Sequence, residues 1–193
     1  MKRIKIIIFA VAISLFSQVQ AQRYLSGLCG LQFTAGTVNG VNLDTKSNDF
    51  AFHAGAAFST YTTHNNRWVV GFEYLEKRYP YKETSLPQAQ FTVEGGYYLK
   101  FLSDGSKTFF FSLGASAVAG YETVNWNQQL LSDGATIQHK GAFLYGGALT
   151  LETEIYLTNY IALLANVRER LLFGSSVGKF NTQLGLGIKF IIN

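Results

Sequence analysis

The chain has 193 residues, 48% of them hydrophobic and 15% aromatic but only 15% charged, a mix open to a secreted globule or to a membrane barrel. Residues 1–21 hold three of the sixteen Lys and Arg and none of the twelve Asp and Glu, so residues 22–193 carry a net charge of about +1. The sequence pI of 9.1 therefore owes much to the first residues, and the near-neutral remainder excludes a DNA-binding face built on charge. A single cysteine, Cys29, excludes an intramolecular disulfide.

Met1 to Lys5 is a basic n-region, Ile6 to Phe16 an apolar run, and Val19-Gln20-Ala21 a small-residue cleavage site. That order predicts a secretory signal peptide over 1–21, cleaved after Ala21, with a single domain over 22–193. The apolar run is too short for a spanning helix, which needs about 20 residues. Cys29 lies far beyond that run and follows Leu28, which argues against a lipoprotein.

Strict alternation then recurs along the chain. Leu31, Phe33 and Ala35 alternate with Gln32, Thr34 and Gly36; Phe52, Ala54, Ala56 and Phe58 with His53 and Gly55. Trp68, Val70, Phe72 and Tyr74 alternate with Arg67, Gly71 and Glu73. The clearest stretch, Ala89 to Phe101, sets Phe91, Val93, Tyr97 and Leu99 against Gln90, Thr92, Glu94 and Tyr98. Similar strands start near Phe109, Phe143, Ile161 and Phe180. Stretches of this length exceed the usual strand of about 5–6 residues and suit a tilted crossing of a bilayer, which takes about 9–11.

Eight such strands, joined by alternating long and short connections, predict an eight-stranded antiparallel up-and-down transmembrane β-barrel of the outer-membrane type. The long connections are expected near 38–49, 80–87, 122–141 and 172–179; the short ones over Thr62–Asn66, Leu102–Lys107 and Leu157–Tyr160. The last strand contains Gln183-x-Gly185-x-x-Ile188-x-Phe190, the form of a barrel-insertion signal read by the assembly machinery, with three residues following the aromatic.

Six charged residues should point inward: Glu73, Glu94, Glu152, Glu154, Arg168 and Arg170. Buried charge must be paired, and with a turn near Asn159, Glu152 falls within a rung or two of Asn166 and Arg168. This predicts a polar plug rather than a pore, because eight strands leave room only for side chains. Alternation points Glu169 at lipid, which calls for a bulge or a place at the headgroup level. Tyr121 and Trp126 open the longest loop and are expected to make contacts there, Trp126 either anchoring a partner or sitting in the interfacial aromatic belt.

Small outer-membrane barrels that hydrolyse or acylate lipids need Ser, His and an acid together. His53 points inward with Ser59 at the other end of its strand, His64 sits in a turn, and His139 shares a loop with Ser132 and Asp133. There is no G-x-S-x-G, and no two histidines have metal-ligand spacing. Neither catalytic residues nor a cofactor are expected. A lipid-modifying enzyme and a narrow solute channel are the rival readings.

Ala21–Leu25, Phe91-Thr92-Val93-Glu94-Gly95-Gly96-Tyr97-Tyr98 with its continuation to Asp104, Gly120–Trp126, Leu163–Arg170 and the ending Lys189–Asn193 form distinctive runs. Together they resemble the TraO family, conjugal transfer proteins encoded on conjugative transposons. The resemblance covers essentially the whole mature chain. It implies a part in the mating apparatus, with other apparatus proteins and outer-membrane lipid as partners and no direct contact with nucleic acid. The family brings no catalytic residues.

Overall fold

A computed structural model describes residues 26–39, 51–81, 84–128, 135–136, 141–175 and 178–192. The expected signal peptide, His139, Ser132 and Asp133 lie outside the described residues. The strands are β1 (Cys29–Val38), β2 (Ala51–Tyr61), β3 (Arg67–Tyr81), β4 (Thr84–Ser103), β5 (Phe109–Val124), β6 (Gly141–Tyr156), β7 (Ile161–Phe173) and β8 (Phe180–Ile192). Each pairs antiparallel with the next, and β1 pairs with β8 through registers such as Leu31↔Phe190 and Ala35↔Leu186, closing an eight-stranded barrel.

Short turns at one end of the barrel join β2 to β3, β4 to β5 and β6 to β7; the other end carries the remaining connections. We call these the turn end and the loop end. At the turn end Asp104 organises the β4–β5 turn, its carboxylate accepting from the backbone N–H groups of Thr108 (2.7 Å) and Phe109 (2.8 Å) and from the Ser106 hydroxyl. A register shift between Lys100 and Leu102 turns Leu102 outward beside Phe101, leaving both more than half exposed.

One expectation fails here. Within 80–87, expected as an outer loop, residues 80–81 and 84–87 are strand: β3 runs on to Tyr81 and β4 starts at Thr84, with Tyr79↔Leu86 and Tyr81↔Thr84 paired. Pro80 faces Ser85 and Pro87 faces Arg78, two alternate pairs of the ladder. Antiparallel strands bond through every second residue, so a proline fits where the missing N–H would point away from the partner. The chain's two prolines both occupy such places and do not end the strands.

The wall is apolar outside. Trp68, Val70, Leu149 and Leu186 are all more than half exposed. Aromatic rings cluster toward both ends: Trp68 with Tyr97 (4.8 Å between centroids) and Phe101 with Phe111 (6.4 Å) toward the turns, Tyr145 with Phe173 (5.6 Å) and Phe143 (6.4 Å) toward the loops. An apolar band between two aromatic girdles is what a bilayer's two interfaces select. Inside, Tyr61, Phe110, Tyr156, Ala162 and Ile191 pack into an apolar floor at the turn end, and Val118, Leu144, Ala148 and Leu172 form a second apolar cluster.

Candidate functional site: the filled lumen

The lumen is asymmetric. On the β8–β1–β2–β3 side the inward positions include Gly36, Gly55, Ala57, Gly71 and Gly185, whose lack of bulk leaves space that longer side chains from the facing strands fill. At the upper of two charge centres, Glu73 of β3 accepts from Arg168 Nη1 (3.0 Å), Arg170 Nη1 (2.6 Å) and Gln183 Nε2 (2.7 Å). His53 Nδ1 lies 3.5 Å from the same carboxylate, and Arg168 Nη2 reaches Glu94 at 3.0 Å. Thr150 and Thr92 accept further N–H groups from Arg168 (3.1 Å) and Arg170 (2.9 Å).

The lower centre sits on the apolar floor. Arg67 donates to Glu152 at 2.5 Å and to Glu154 at 3.0 Å. Lys189 pairs with Glu154 and lies 3.7 Å from Glu152, while the hydroxyls of Tyr61 and Tyr156 donate to Glu154 at 3.3 and 3.4 Å. Tyr98 joins the two centres: Arg67 lies 4.8 Å over its ring, and Arg168 Nη2 donates to its hydroxyl at 3.5 Å.

All six inward charges named from the sequence are buried in the lumen. Two further cations of the network, Arg67 and Lys189, are not in that set, although their alternation with Trp68 and Phe190 places them inside. With them, four carboxylates face four cations, and the desolvation of each is offset by an opposite charge. The pairing differs from the expected one. Glu152 does lie opposite Asn166, but its carboxylate takes Arg67, while Arg168 turns to Glu73 and Glu94. Side chains project along the radius of the barrel, and across a narrow lumen the facing strand is as close as the neighbour.

Beside Glu73, Glu94, Arg168 and Gln32 a void of about 10 Å³ remains, the space of about one water. Nearer the loops Lys77 donates to Asn181 Oδ1, and Glu122 accepts from Gln90 (2.9 Å) and Ser175 (2.7 Å). Glu122, expected in a loop, lies inside β5 and is fully buried.

The candidates for nucleophilic chemistry stay apart. His53 and Ser59 are six residues apart on β2, roughly 20 Å, and the Ser59 hydroxyl donates to the Gly30 carbonyl at 3.2 Å. A Cβ built on Gly36 would come within 2.7 Å of His53 Nε2, so this glycine packs directly against the imidazole. Among the described residues no three His, Cys, Asp or Glu side chains converge as metal ligands would.

Tyr121 lies within β5 rather than in a loop, facing outward and 47% exposed. Trp126 is 54% exposed in a short 3-10 turn over Asn125–Asn127, with a left-handed φ of 51°. Of the residues expected to form an insertion signal, Gln183 and Gly185 face the lumen while Ile188 and Phe190 face outward. A Cβ at Gly185 would stand 2.6 Å from Asn166 Oδ1, so a side chain there would push the Asn166 carboxamide aside.

A closed eight-stranded barrel with an apolar wall, two aromatic girdles and a charge-filled lumen is a membrane barrel of the outer-membrane type. Neisserial surface protein A shares the fold with a TM-score of 0.52 at 12% identity, over 86% of this chain and 97% of that one. The N-terminal barrel domain of Pseudomonas aeruginosa OprF also matches, at 13% identity and a TM-score of 0.49 over 84% of this chain and 97% of that one. No curated protein matches in sequence. The chain belongs to the TraO family of conjugative transposon proteins, whose model matches residues 25–192.

Proposed function

We propose that this TraO-family barrel resides in the outer membrane and serves conjugative transfer as a structural or partner-binding component, without catalysis. On this reading residues 1–21 direct export and are removed, the assembly machinery inserts the barrel through its β8 motif, and other proteins of the transfer apparatus bind its surface. The observation that carries the proposal is the filled lumen. Eight mutually neutralised charges and an apolar floor make a rigid post rather than a conduit, so contacts fall to the wall and the loop end, where Trp126 is available. The separation of His53 from Ser59, six residues along β2, speaks against a lipid-modifying enzyme, and the near-neutral mature chain against direct contact with DNA.

An in-frame deletion in the donor tests this. Mating frequency should fall to the level of a donor lacking the apparatus and recover with the gene supplied in trans. Undiminished transfer from the deletion strain would remove the proposed role.

A further inference from the structure

Glu169 stands on the outside of the barrel, where nearly all its neighbours are apolar. It is exposed, on β7, opposite Leu149 of β6 and Thr182 of β8. The pairing on both sides runs through it without a shift, so no bulge explains it. Nor is it level with the headgroups. It lies four positions before Phe173 at the end of β7, which at the usual rise and tilt is about 10 Å toward the membrane centre. Along its strand Val167 is 48% exposed below it and Phe173 38% exposed above. The Thr182 hydroxyl donates to its Oε2 at 2.5 Å, and among the described residues no Lys or Arg pairs with it.

Directly beneath, the same wall is hollow. A groove of about 460 Å³ runs over β6, β7, β8 and β1, where Ala35 and Ala165 leave a trough between Leu151, Val167, Leu184 and Leu186. Val167 and Leu184 are the outward residues next to Glu169 and Thr182, so the groove and the carboxylate form one surface. An unpaired carboxylate on a lipid-facing wall is costly, and acyl chains fill a groove but bring no positive charge to this depth. Phosphate-bearing headgroups would be repelled. A cation can reach a carboxylate held below the interface on the long side chain of an embedded polypeptide.

We propose that this face docks a membrane-embedded protein segment that lays apolar side chains in the Ala35–Ala165 groove and sets a Lys or Arg against Glu169. The inference rests on the reading of the chain as an outer-membrane part of the transfer apparatus, and it names the surface through which another component is held.

The test uses the intact apparatus in donor cells, with the photo-crosslinking residue p-benzoylphenylalanine in place of Leu163, exposed on the same face just beyond the groove. Irradiation should give an adduct to one apparatus protein, mapped by mass spectrometry to an apolar stretch bearing a Lys or Arg. Glu169→Gln should cut its yield several-fold, Ala165→Leu should do the same by filling the trough, and Glu169→Lys should abolish it. Reversing the partner's mapped cation to Glu should restore the adduct with Glu169→Lys. An adduct with lipid alone, within the chain or with a second copy, or a yield indifferent to Glu169→Gln, would overturn the proposal. Heat-modifiable mobility of each variant monitors folding. Transfer that depends on the gene but not on Glu169 or the groove would sink this surface and leave the proposed function standing, whereas transfer independent of the gene would remove the function itself.

Discussion

Arg67 and Glu152 meet at 2.5 Å from different walls of the lumen, β3 and β6, and each side chain is only 1% exposed. The other amino group of Arg67 takes Glu154 at 3.0 Å, so one guanidinium holds two carboxylates that would otherwise repel. Removing one partner of a buried pair costs about 3–5 kcal/mol, because the charge left behind stays desolvated. Arg67→Ala should lower unfolding stability in detergent micelles by about that much, read from the urea midpoint. Adding Glu152→Gln should cost less than the sum of the two single changes, since the partner no longer carries a stranded charge.

The upper centre bears on passage. Glu73 draws Arg168, Arg170 and Gln183 onto one carboxylate in mid-lumen, over a floor of Tyr61, Phe110 and Tyr156. Purified wild-type barrel in a planar bilayer should therefore hold the current at baseline. Steady single-channel steps would contradict the filled lumen.

Gly185 of β8 packs closely against the lumen side chains around it. With Asn166 Oδ1 2.6 Å from where a Cβ would stand, Gly185→Ala should displace the Asn166 carboxamide and cost about 1 kcal/mol, the low end for an overpacked site. Asn166→Ala should recover part of that loss, and equal stability of Gly185→Ala and wild type in a urea series would count against the packing.

Asp104 gives a pH signature at the turn end. Partial burial raises its pKa, but hydrogen bonds from the Ser106 hydroxyl and the Phe109 and Thr108 amides outweigh that and hold it below the ordinary aspartate value. A depressed carboxyl stabilises the fold above its unfolded-state pKa and loses that contribution as pH falls through the folded one. The stability gap between wild type and Asp104→Asn should be full at neutral pH and close progressively below about pH 4. A gap that widens on acidification would reverse the sign of the argument.

Much of this architecture is legible because a barrel repeats one rule. Alternation from Ala89 to Phe101 sorts lumen from wall through the centre of β4, and Asp104 and Thr158 lie in turns that the spacing marks. What alternation cannot read is who meets whom across the lumen. Register relates neighbouring strands, whereas Arg67–Glu152 joins β3 to β6 and Glu73–Arg170 joins β3 to β7. Strand ends are the other weak point. Residues 80–87 contain both prolines and resemble a loop, and only the pairing shows that each proline takes a place where no donor is required. Glu122 escapes assignment to the lumen for the same reason, β5 being longer than its apolar alternation suggests.

The most direct test of the account is the heat-modifiable gel mobility of the protein in the outer-membrane fraction of donor cells. A closed barrel held by eight interlocked strands and by four buried carboxylates matched with four buried cations should stay folded in detergent at room temperature. It should then migrate faster unheated than after boiling, and it should sediment with the outer membrane. A protein found in the soluble periplasm, with the same mobility before and after boiling, would contradict the barrel and the role built on it.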